Sequence, residues 1–242
     1  PFDPPPRPGY TFRMGSASVS EAVQRLAIEF PVFMIAVIFH EVAHGFAARF
    51  WGDKTAEQAG RLTFNPMPHV DMLGTIVFPI LGMLSGSSLL FGWARPVPIN
   101  PNRFKKFRPG LFWVSIAGPG ANFTLAFLSA MAFCAIRMWL PQTFFLHEPL
   151  MAMTYVGISL NFALGIFNLI PLPPLDGSKI VESILPFEAA RKYEAFAQYS
   201  FWILLALMFS GAFSVLGYPI RFLSDATLYL AAKIFNLPEV MS

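Results

Sequence analysis

Phe33 to Phe50 reads FMIAVIFHEVAHGFAARF, and the fold turns on whether this helix lies in lipid or in water. From Phe30 to Phe39 only Pro31 is not plainly hydrophobic, and then His40, Glu41 and His44 fall within five positions. A bilayer and a dry core both resist two imidazoles and a carboxylate that have no partner.

Composition decides the setting. Of 242 residues 55% are hydrophobic and 13% charged, with 27 Phe and a mean hydropathy of +0.54. A soluble domain carries about 25% charged residues, so this chain has too little polar surface to cover a globule in water. The reading is an all-α polytopic membrane protein. A net charge of +3 is mild, and the basic residues sit in loops, which leaves no face for nucleic acid. Cys134 stands alone in an apolar run, so no disulfide framework exists and packing is its expected role.

About twenty apolar residues cross a hydrocarbon core. The candidates are Ala27 to Phe50, Met72 to Trp93, Leu111 to Leu140, Leu150 to Ile170 and Tyr199 to Leu216, with a weaker amphipathic piece from Phe222 to Phe235. The expected architecture is therefore a helical bundle of about 4–6 transmembrane segments. It divides into a flexible tail over 1–18, a catalytic membrane core over 19–186 and C-terminal membrane helices over 187–242. The first fifteen residues, PFDPPPRPGYTFRMG, hold five prolines and no hydrophobic stretch ahead of a cleavage site, so no cleavable signal peptide is expected.

Within a helix His40 and His44 lie one turn apart on one face, roughly 6 Å along the axis. Two neutral imidazoles so placed suit one zinc, and Glu41 beside them suits a general base. At bilayer depth these ionisable groups need a common partner, and a divalent cation supplies it. Catalytic zinc takes three protein ligands and keeps a fourth position open. The best third ligand is Asp176, in FNLIPLPPLDGSKI, where Pro171, Pro173 and Pro174 break a helix at membrane depth. Gly177 follows and lets the chain turn. The alternative for Asp176 is a cap on the next helix.

These residues resemble the site-2 protease family of intramembrane zinc metalloproteases. HEVAH at His40 to His44 looks like its first motif and NLIPLPPLDG from Asn168 to Gly177 like its second; AGPGAN from Ala117 to Asn122 is similar to the element between them. GRLTFNP from Gly60 and FGWARPVPINPNRF from Phe91 look like the compact bacterial and archaeal members without PDZ insertions. The resemblance covers roughly Ile28 to Leu185. It implies one zinc per chain on His40, His44 and Asp176, with Glu41 activating water. It also implies single-span membrane-protein substrates cut in or near their transmembrane helices, in the cytoplasmic membrane of the cell.

Asn122 would donate to an oxyanion or hold the substrate strand, with an interhelical hydrogen bond as the alternative. Asn168 would brace the Pro-rich loop or pair with substrate backbone, with packing as its alternative. His69 and Asp71 suit a loop surface or interface better than a second metal site. Ala59 to Asn65 is expected to be an edge strand to which extended substrate could add. Two other functions compete. A transporter or channel would use the broken helix as an ion site, but leaves HExxH unexplained. A noncatalytic scaffold would keep structural zinc, which is usually closed by four ligands that often include Cys.

Topology follows from making the ligands meet. The loop from Arg95 to Arg108 carries five basic residues and no acidic one, which places it in the cytoplasm. Leu111 to Leu140 then runs outward and Leu150 to Ile170 inward, so Asp176 and the zinc lie nearer the cytoplasmic face. His40 and His44 reach that depth only if Ala27 to Phe50 also runs inward. Met72 to Trp93, about 22 residues, spans once or not at all. With cytoplasmic points on both sides of it, it is expected to be a re-entrant hairpin turning near Gly82 to Gly86.

Overall fold

A computed structural model describes residues 19–84 and 92–240. The tail expected over 1–18 lies outside the described residues, as does part of the turn expected near Gly82 to Gly86. Helix α1 runs Val19–Phe50, and a short α2 covers Thr55–Gln58. A wide helical turn, Met72–Val77, leads into α3, Phe78–Leu84. Then come α4, Phe107–Trp139, and α5, His147–Asn168. The chain ends with α6, Asp176–Ile184, α7, Phe187–Phe209, and α8, Gly217–Ile234.

Among the described residues three helices are long and apolar enough to cross a membrane: Val23–Phe50, Phe107–Trp139 and His147–Asn168. Two of them carry an internal proline, Pro31 in α1 and Pro119 in α4. Each proline removes one backbone bond, a loss that neighbouring helices make good in a bundle. Helices α7 and α8 pass the same test only as a pair, bent by 77°, which fits a broken span or a re-entrant loop. Gly211, at φ +74°, makes the break: the left-handed conformation stops α7, and glycine adopts it without strain.

This corrects the span expected over Tyr199 to Leu216. The helix begins at Phe187, because FEAARKYEAFAQ is amphipathic and its charges hide it from a hydropathy window. It ends at the Gly211 break, inside the expected span.

Helix α4 is the centre. Its Ala126, Ala130, Phe133 and Cys134 pack with Ile158 and Phe162 of α5 and with Ala231 and Ala232 of α8. Cys134 is fully buried there as a free thiol, in the packing role its sequence position suggests. Nearer the start of α4, Leu111 and Val114 pack with Phe104 against Ala48 of α1. The ring of Trp139 meets that of Phe235, so α8 finishes beside the end of α4. At the opposite end the Tyr193 hydroxyl of α7 donates to Pro171 O at 2.8 Å. Tyr193 of α7 and the end of α8 therefore lie at opposite ends of the bundle, and Phe213 between the two helices meets Phe167 at the end of α5.

The turn that starts at Met72 meets Trp93 through Gly74 and Thr75, as a hairpin requires. Trp93 N–H donates to Gly74 O at 3.0 Å and Arg95 N–H to His69 O at 2.9 Å. The Thr75 hydroxyl closes the neck on Trp93 O at 2.8 Å. Gly74 has to be glycine, since a Cβ there would fall inside the Trp93 indole.

Two expectations for the preceding loop fail. Ala59 to Asn65 forms no strand. Gly60, at φ +65°, turns the chain out of α2. The Thr63 hydroxyl accepts from Asn65 N–H and Asn65 Oδ1 from Met67 N–H, local bonds that compete with a ladder. His69 is no surface residue: it is fully buried, its Nε2 donating to Thr63 O at 2.8 Å. Asp71 accepts from Gly74 N–H at 2.7 Å and so caps the turn at Met72.

Candidate metal centre

His40 and His44 sit in the second half of α1, buried to 8% and 6% exposure. Asp176 arrives from 132 residues away as the first residue of α6. Between α5 and α6 the prolines hold the chain off helical geometry, with Leu172 N–H on Ile170 O at 2.8 Å and Leu175 N–H on Leu172 O at 3.0 Å. Gly177 serves here by close approach rather than by turning. It has no positive φ, but a Cβ would strike Leu169 O and Ile170 O. Asp176 also leaves the cap of α6 unmade: no side chain caps that helix. Its carboxylate goes to the histidines instead.

Three ligand atoms converge. His40 Nε2 lies 3.1 Å and His44 Nε2 3.2 Å from Asp176 Oδ2, and the two nitrogens are 3.1 Å apart. Ligand atoms on a tetrahedral zinc at about 2.0–2.1 Å would be about 3.3 Å apart, so the triangle is close to one face of that tetrahedron.

The outer nitrogens fix which protons the rings carry. His44 Nδ1 is 2.6 Å from Val114 O, a carbonyl that can only accept, so Nδ1 holds the proton. His40 Nδ1 is 2.7 Å from Asn122 Oδ1. The amide is oriented by its far side, where Asn122 Nδ2 donates to Ala36 O at 3.2 Å and to Asn161 Oδ1 at 2.9 Å. Asn161 Nδ2 in turn donates to Gly157 O at 2.8 Å. With both rings neutral, each Nε2 carries its lone pair toward the other ring and a carboxylate oxygen. Such a cluster of donors repels itself unless a cation sits among them, and N, N, O is a zinc donor set with a fourth position free.

Asn122 is fully buried and its amide is spent on α1, His40 and Asn161. No hydrogen is left for an oxyanion or a substrate strand, so its geometry suits holding His40. Asn168 ends α5 with Nδ2 on Leu164 O of its own helix at 2.9 Å, away from the Pro-rich loop. Glu41 Oε2 accepts from Val97 N–H at 2.7 Å.

Four contributors went unread in the sequence. Asn161 had a signal, being an amide within an apolar helix. Gly118 stands in the sequence only as part of AGPGAN. A Cβ there would overlap His44 Nε2 and come within 2.7 Å of His40 Nε2, so the glycine gives the ring pair its room. The Val114 carbonyl and Val97 N–H are main-chain groups and leave no residue signature.

Residues 145–211, from α5 through the Pro-rich loop to α7, match the model of Peptidase family M50. The protein named "Putative zinc metalloprotease YwhC", from Bacillus subtilis, is 36% identical over 205 residues, 84% of this chain and 90% of its own length. "Putative zinc metalloprotease Rip2" of Mycolicibacterium smegmatis is 28% identical over 184 residues, 74% of this chain and 66% of its length. The protein of the same name from Mycobacterium tuberculosis is 28% identical over 179 residues, 72% of this chain and 64% of its length. The chain thus spans about two thirds of the Rip2 proteins. No solved structure matches it.

Proposed function

The chain belongs to peptidase family M50 and is an intramembrane zinc metalloprotease, and we propose that His40, His44 and Asp176 hold its zinc and that Glu41 is its general base. The observation that carries this is the convergence of three candidate metal-ligand atoms, from His40, His44 and Asp176, within 4.8 Å of one another. Neither the relatives nor the fold supports the transporter reading.

Bound zinc supplies Lewis acidity, polarising the scissile carbonyl and bringing the pKa of a water toward 7. The chain's own residues do the rest. Val114 O and Asn122 hold the two imidazoles with Nε2 facing inward, so that neither ring has to reorient during turnover. Glu41, with Oε2 engaged by Val97, has Oε1 for the proton of the attacking water and later delivers it to the leaving amine. Asn122 acts as a positioning residue for His40 rather than as an oxyanion donor. Asn168 serves at the end of α5, where it steadies the helix from which the Pro-rich loop departs.

The substrates are membrane proteins, and single-span proteins fit best. A helix must unwind to expose a carbonyl, and an isolated span has no tertiary contacts to hold it wound. The site lies toward the cytoplasmic side of the cytoplasmic membrane. Supporting this, Arg95 to Arg108 is basic and attaches to the end of α1 that carries the histidines. Residues 19–186 form the catalytic core, on which the C-terminal helices pack.

The test is Glu41→Gln in the reconstituted full chain, offered a panel of single-span substrates. Cleavage should fall at least roughly 100-fold with zinc retained. Near wild-type cleavage would overturn the assignment of Glu41.

A further inference from the structure

Between the hairpin and α4 the chain passes over α1 as Pro96-Val97-Pro98. Proline has no N–H, so Val97 carries the one main-chain donor of these three residues. That donor lies 2.7 Å from Glu41 Oε2. Val97 is 6% exposed, and its Cγ1 sits 3.2 Å from where Gly45, one turn beyond Glu41, would carry a Cβ. The passage is tied on both sides. Arg61 Nη2 donates to Arg95 O at 2.6 Å, Asn100 N–H donates to Asp53 Oδ2 at 2.6 Å, and the hairpin neck holds Trp93 and Arg95.

A buried N–H outside any helix or strand has to find an acceptor, and here it finds an ionisable side chain next to the metal ligands. A glutamate has three side-chain torsions, and a donor on a tied segment restricts them at no reorganisation cost during the reaction. We propose that the Val97 main-chain N–H positions Glu41 for proton transfer by holding Oε2, so that Oε1 faces the water. The proposal rests on Glu41 being the base. Val97 touches neither substrate nor metal and is a positioning residue.

The test replaces Val97 with α-hydroxyisovaleric acid in the full chain, exchanging N–H for an ester oxygen while keeping the side chain. Val97→Ala, which keeps the N–H and trims the side chain, is its control. Both are reconstituted in vesicles with a single-span substrate, alongside wild type and Glu41→Gln, and kcat, KM and zinc content are read. The ester should lower kcat roughly 10- to 100-fold, as loss of an outer hydrogen bond to a catalytic group does, with KM and zinc unchanged. Val97→Ala should lose clearly less kcat than the ester, and in the Glu41→Gln background the ester should change nothing further.

An ester variant with wild-type kcat beside an inactive Glu41→Gln would overturn the proposal and leave the base assignment standing. An equal loss in Val97→Ala, or a loss of zinc in the ester, would also overturn it, since packing would then be the cause. An active Glu41→Gln would overturn both readings together.

Discussion

Gly118 shows how tightly α4 is fitted to the two imidazoles. A Cβ there would lie inside van der Waals contact of both rings, 2.7 Å from His40 Nε2 and closer to His44 Nε2. Gly118→Ala should therefore push the rings apart while leaving the helix sound, because Ala is the better helix former. Zinc affinity, measured by chelator competition, is expected to fall at least about 10-fold with helicity unchanged. Unaltered affinity would show that the rings do not meet α4 at this point. At this scale the His pair and Asp176 were legible, because ionisable side chains at membrane depth and a proline break are unusual enough to be read one by one. For Asn122 two roles stayed open, and the interhelical hydrogen bond is the one the structure shows. A sequence shows that an amide is present on a membrane helix but not which way it faces, and here Ala36 O and Asn161 turn it toward His40.

Among the elements, the turn from α1 to α2 is tied to the loop before α4 through Asp53. This residue is 1% exposed and accepts from Asn100 N–H at 2.6 Å, from Thr55 N–H at 3.0 Å and from the Thr55 hydroxyl. Burial pushes its pKa up, but the Thr55 hydroxyl and the two N–H donors outweigh that and hold it below the ordinary value. A depressed folded pKa means that the ionised carboxylate stabilises the fold above the unfolded value, about 3.9. That contribution is lost as pH falls through the folded value. Asp53→Asn should cost about 1–2 kcal/mol at pH 7, read as a lower melting temperature in detergent, with wild type and variant converging in acid. A gap that persisted undiminished in acid would mean that charge plays no part.

The hairpin is the element that topology predicted best, since its two ends had to return to one side and Gly74 and Trp93 do meet. The edge strand was misread because Thr63 and Asn65 look neutral in a seven-residue window while their side chains bond their own backbone. The bent pair was misread because the charges at the start of α7 conceal a helix that continues into apolar sequence.

For the whole molecule, three crossings with the bent pair as a fourth would put both described ends of the chain on the same side, opposite the basic loop. Cysteine labelling can check this in a Cys134→Ser background. Asp53 is unsuitable as a labelling site because it is buried and bonded to Asn100, whereas Lys54 and Asn102 are exposed on either side of the hairpin. Cysteines at both should react from one face, and one at Phe145, between α4 and α5, from the other. Labelling of Lys54 and Asn102 positions from opposite faces would make Met72 to Trp93 a true crossing.

All of this architecture serves to bring Asp176 to a histidine pair 132 residues earlier in the chain. The measurement closest to that claim is zinc per chain in purified wild type, His44→Ala and Asp176→Ala. One zinc in the wild type and a marked loss in both variants is the predicted result. Full zinc retained in both variants would contradict it.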